Sequence, residues 1–105
     1  MMTKYERLAA IMREARELVR EIKNEGKQQG LDILAVTAQC STSDMVKDVI
    51  TVQTNNCIDK VGKPIRRIIR EDGVYPYMFE AEIDGVTFCE LTTEKEAEKY
   101  AKLAV

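Results

Sequence analysis

Residues 74–91 read VYPYMFEAEIDGVTFCEL, and the dipeptide Asp84-Gly85 near their centre decides what they form. A two-residue type I′ turn needs positive φ at both central positions, and Asp-Gly is among the pairs that supply it. A turn at this point sets the register of its flanks. Ile83 then faces Val86 and Ala81 faces Phe88, with Phe79 on the same side, whereas Glu80 and Glu82 point the other way. The segment is read as an antiparallel hairpin with one core face and one wet face.

Beyond this hairpin, Thr93 and Glu96 form a capping box, in which each side chain satisfies a backbone donor that a new helix leaves unpaired. Ala97, Tyr100, Ala101 and Ala104 make a narrow apolar stripe, so a helix is expected over 94–104. Before the hairpin, residues 60–72 fit two readings. Pro64 can open a short helix that buries Val61, Ile65, Ile68 and Ile69, with Gly73 as its stop. Equally, Glu71-Asp72-Gly73 can be the turn of a hairpin whose first strand is the Ile65–Ile69 run.

Further upstream, residues 32–40 (DILAVTAQC) are apolar and partly β-branched between Gly30 and a Ser-Thr-Ser-Asp turn, which reads as a strand covered on both faces. Val49–Thr54 follows after a short link and completes a second antiparallel hairpin over about 32–54. At the start of the chain, Thr3 and Glu6 form another capping box. Tyr5, Leu8, Met12, Ala15, Val19 and Ile22 then recur at alternating spacings of three and four, flanked by Ala9, Ile11 and Leu18. A helix is expected over 4–25, stopped at Gly26 or Gly30. The fold class that follows is α+β: one domain over 1–105, an antiparallel sheet of about four to five strands built on two hairpins, covered by a long N-terminal helix and a C-terminal helix.

The totals agree with a single globular core. The chain has 105 residues, 45% apolar and 32% charged with the signs mixed, and folding at this size buries roughly 65% of the unfolded surface. The longest charge-free stretch, Ile33–Ser43, falls far short of the ~20 apolar residues of a membrane span, so no membrane partner is expected. The first residues, MMTKYERL, carry charge where a secretory signal places its apolar core, which points to a cytoplasmic protein. Three widely spaced cysteines, an odd number, suit reduced thiols.

There is no histidine. That excludes Cys-His and Ser-His nucleophile pairs, histidine-bearing zinc sites and the commonest general base. Cys57, beside Asn55, Asn56 and Asp59, has no histidine to deprotonate it, and Cys40 and Cys89 are expected to pack as small apolar side chains within strands. No Cys-x-x-Cys spacing occurs, and no catalytic residue, metal site or cofactor is expected. Glu80 and Glu82, with Glu90 nearby, are read as a wet face that suits a basic partner.

Two features point to binding. Lys60, Lys63, Arg66, Arg67 and Arg70 against Asp59 give a local charge of +4, followed by Tyr75 and Tyr77, whereas residues from Glu71 onward carry −6. Guanidinium groups grip phosphates and rings stack bases, so this segment is a candidate site for a nucleotide or nucleic acid; the competing reading is a solvated face. The second feature is the N-terminal helix. Its stripe suffices to cover the chain's own sheet, while Ile11 and Leu18, seven residues apart, widen the apolar surface beside it and are the candidate contact of a homodimer or a protein partner. The expected function is a non-enzymatic binding or interaction protein. Compact genes of this kind are common among phage and mobile-element accessory proteins that inhibit or sequester host factors, which is a base-rate expectation rather than a property of the residues. Nucleotide or nucleic-acid binding through residues 60–70 is the alternative, and a small enzyme without histidine chemistry comes third.

Overall fold

In the computed structural model, which describes residues 1–62 and 65–102, the chain runs through helix α1 (Lys4–Gln28) and strands β1 (Ile33–Gln39) and β2 (Val49–Thr54). A 3-10 turn (Ile58–Val61), strands β3 (Arg66–Ile69), β4 (Tyr77–Ile83) and β5 (Val86–Thr92), and the short helix α2 (Glu94–Ala97) follow. The α+β class holds, and five strands make one sheet in the order β1-β2-β5-β4-β3. Its neighbours are antiparallel except β2 and β5, which run parallel, so the sheet is mixed rather than purely antiparallel.

The central hairpin forms in the register set by its turn. Asp84 and Gly85 take φ values of 49° and 80°, Ile83 pairs with Val86, and Ala81 pairs with Phe88. Phe79 and Ala81 are buried, whereas Glu82 is exposed. The segment with two readings resolves as a strand: β3 pairs antiparallel with β4, placing Arg67 opposite Phe79. No α-helix forms among its described residues, and Lys63 and Pro64 lie outside them. The loop back to β4 is closed by the Asp72 carboxyl, which accepts the backbone N–H groups of Tyr75 at 2.7 Å and Val74 at 2.9 Å. Those two bonds hold the Asp72 carboxyl below its ordinary value.

The core occupies one face and one end of this sheet. Ile58 of the 3-10 turn, Ile65, Phe79, Ala81, Ala97 and Tyr100 pack together, with Phe79 and Tyr100 edge to face at 5.2 Å between ring centres. Glu96 and Thr93 complete their capping box. Helix α2 is shorter than the expected 94–104: it ends at Ala97 and continues in turns to Lys102. Ala97 and Tyr100 are buried as the stripe requires, Ala101 is exposed, and Ala104 lies outside the described residues.

Helix α1 is capped by the Thr3 hydroxyl, which accepts the Glu6 N–H, while the Glu6 carboxyl accepts that hydroxyl's proton instead of the Thr3 N–H. It ends in a Schellman motif, with Leu31 N–H donating to the Gly26 carbonyl at 2.7 Å and Gly30 N–H to that of Lys27 at 3.2 Å. A Cβ on Gly26 would stand 2.8 Å from Ile33 Cδ1, so glycine is what lets the last turn press against β1. The cover expected from α1 is confined to this turn, because the reversal after Gln28 sends the chain into β1 and the helix away from the sheet. The radius of gyration is accordingly 16.0 Å, against about 13 Å for a compact domain of this length. Strand β1 is an edge strand with Ile33 buried and Val36 half-buried, so the two-sided cover expected for residues 32–40 is absent.

A Cβ at Gly85 would meet nothing within 4 Å, so any penalty for a side chain there is conformational. Gly85→Val is expected to lower the unfolding free energy by about 2 kcal/mol, while Gly85→Asn, which tolerates the left-handed region, stays close to wild type. Urea denaturation of the three proteins checks this; a Val variant as stable as wild type would move the turn elsewhere.

Candidate functional site

Of the 25 residues of α1, Gly26 is the only one buried. Along the stripe, Tyr5 is 87% exposed, Met12 65%, Leu8 56% and Ile22 40%, and the flanking Ile11 and Leu18 are equally open at 55% and 54%. The opposite face is charged, with an exposed Glu17–Arg20 pair at 2.9 Å. In proteins most helical stability comes from packing an apolar face rather than from propensity. Each large apolar side chain left in solvent forgoes about 1.5–3 kcal/mol of burial. The stripe and its flank therefore form a contiguous apolar patch on a projecting rod, the kind of surface that marks a contact.

The basic segment is distributed differently. Successive side chains of a strand point to opposite faces, so Arg66 and Arg67 of β3 diverge. Arg66 lies on the wet face and pairs with Glu80. Arg67 lies on the core side, 5.6 Å over the Tyr77 ring. Arg70 donates to the Tyr75 carbonyl at 3.0 Å, and Lys60, on the 3-10 turn, donates to the Gly30 carbonyl at 3.4 Å. Tyr75 is exposed and Tyr77 half-buried. The fold thus brings Arg67 to Tyr77 and Arg70 to Tyr75, but does not gather Lys60, Arg66 and Arg67 on one surface. Lys63 lies outside the described residues.

The residue that sequence reasoning misplaced is Glu90. Glu80 and Glu82 do share the wet face, but Glu90 sits opposite Phe79 on the core face and is 3% exposed. The signal was present, because Glu90 has the parity of Phe88. Its Oε1 accepts the backbone N–H groups of Cys57 at 2.9 Å and Ile58 at 3.2 Å, and lies 3.0 Å from the Thr54 hydroxyl. One carboxyl oxygen therefore replaces the partners that the turn after β2 cannot find within itself. Tyr100 is buried beside it, and burial first, then the Glu90 carboxyl, push the phenol well above its ordinary value.

The cysteines are structural or peripheral. Cys57 is buried, and its Sγ accepts the Asp32 N–H at 3.3 Å, tying the turn to the start of β1. Cys89 is buried in β5, where burial and then the neighbouring Glu90 raise its thiol. Cys40, expected to pack within a strand, stands exposed just past the end of β1. Among the described residues, no three His, Cys, Asp or Glu side chains converge on a metal position, and no helix is long and apolar enough to cross a membrane. No family model matches this chain, and comparison with curated proteins and solved structures gives no match.

Glu90→Ala leaves two buried backbone donors without an acceptor, at about 1–3 kcal/mol each. The variant is expected to lose about 3 kcal/mol of stability in urea unfolding, and Glu90→Gln, which keeps a carbonyl oxygen, at most half of that. An alanine variant with wild-type stability would refute the anchoring role.

Proposed function

We propose that this chain is a non-enzymatic interaction protein that assembles as a homodimer through α1. The single observation that carries the reading is the apolar seam of α1, whose Tyr5, Leu8, Met12 and Ile22 stand exposed on a helix that buries only Gly26. Both groups with clearly raised proton affinity, Tyr100 and Cys89, are buried within the fold rather than set in a cleft with a nucleophile. The chemistry in view is apolar association, and closed twofold pairing is the commonest way a soluble chain covers such a face.

Ile11 and Leu18 widen the seam and are exposed, so substituting them tests assembly apart from folding. Wild type is expected to sediment as a dimer at ~100 μM, where contacts of micromolar affinity are mostly filled. Ile11→Glu with Leu18→Glu places charge inside the contact and should give a monomer whose sheet remains folded by circular dichroism. A wild type that sediments as a monomer at this concentration overturns the proposal.

A further inference from the structure

We infer that the occupant of the α1 seam is a second copy running antiparallel, which rests on the dimer reading above and adds its geometry. The seam is uneven in size, with Tyr5, Leu8 and Met12 in its first half and the smaller Ala15 and Val19 in its second, so its layers do not match themselves in parallel. A parallel, in-register pair would set Tyr5 on Tyr5, Met12 on Met12 and Ala15 on Ala15, crowding two layers and leaving a gap in a third. An antiparallel pair, in which the two residue numbers of each layer add to 27, sets Tyr5 against Ile22, Leu8 against Val19 and Met12 against Ala15. Met12 then fills the space that Ala15 leaves, and each layer occurs twice by symmetry.

The flanking positions point the same way. Lys4, Ile11, Leu18 and Glu25 recur at sevens along one edge of the seam. In the antiparallel pair this edge meets its own copy, so Ile11 falls beside Leu18 of the other chain and Lys4 beside Glu25. Both exposed apolar side chains are covered and both charges find an opposite partner. In the parallel pair the same edge meets residues five positions further on, which sets Ile11 beside Arg16 and Leu18 beside Lys23. Apolar surface would then be left against cations, with Lys4 and Glu25 unpaired.

The shape of the protomer agrees. Packed helix axes lie about 8–10 Å apart. A parallel pair must fit two sheet bodies at the same end of the helices, whereas an antiparallel pair places them at opposite ends of a rod about 37 Å long. The contact of the helix with the sheet is confined to its last turn, so Tyr5, Leu8, Met12 and Ile22 stand exposed for a second copy to cover.

Spin labels on Lys4→Cys, in a Cys40→Ser background that removes the exposed native thiol, read the orientation directly. Pulsed dipolar spectroscopy is expected to give a distance of about 30 Å between the two labels, because position 4 and its copy sit nineteen residues apart along the antiparallel axis. A distance near 10 Å would show a parallel pair and overturn the orientation while leaving the dimer standing. No dipolar signal at ~100 μM, together with monomeric sedimentation, would overturn both. As a second measurement, Lys4→Glu should weaken the dimer about fivefold at low salt, from the loss of two exposed ion pairs, and Glu25→Lys added to it should restore the affinity. Failure of the second change to rescue the first would also count against the antiparallel register.

Discussion

The fold depends on the carboxyl of Glu90, buried on the core face of β5 and shared among the Thr54 hydroxyl and the backbone N–H groups of Cys57 and Ile58. The chain leaves β2 in the middle of the sheet and must reach the far edge to begin β3. Doing so requires a sharp turn beneath the sheet, where backbone donors cannot be left to water. Glu90 supplies the acceptor from the strand that β2 lies beside. Ile58 is thereby seated under Phe79, and β2 is held parallel to β5. Lys99 reinforces the same turn from the other side, donating to the Asn56 carbonyl and side chain at 3.2 and 2.8 Å.

That arrangement concentrates the core at one end. Tyr100, Phe79, Ile58 and Ile65 fill the space under β3, β4 and β5, and α2 needs only one turn to close it. No side chain of α1 belongs to this cluster. The longest helix consequently buries one residue, Gly26, and its apolar seam is a large unspent source of burial. It is on this exposed apolar surface that the proposed assembly rests.

Charge follows the same division. The arginines of β3 are split between two faces by the alternation of the strand and engage Glu80 and the Tyr77 ring, while Arg70, just past the strand, donates to the Tyr75 carbonyl. On α1, by contrast, the flanking charges Lys4 and Glu25 stand at opposite ends of one edge and form no ion pair among the described residues. Opposite charges at the two ends of an apolar stripe are complementary to a reversed copy of the same stripe.

What the residues determined by themselves is local. Thr3 and Glu6 start α1, Asp84-Gly85 turns the hairpin and sets its register, and Thr93 with Glu96 starts α2, because each signal is a hydrogen bond or backbone preference spanning a few positions. The stripe of α1 is legible for the same reason: helical spacing is a property of the chain alone. Tertiary structure decided the rest. The run Ile65–Ile69 suits a helix or a strand until β4 offers an edge to pair with. Glu90 looks like a surface acid until the turn after β2 brings it two backbone donors. The position of α1 off the sheet depends on how Gly30 redirects the chain and on which core fills first. These outcomes rest on competition among distant segments for a limited apolar surface, and no pattern within one segment records who wins.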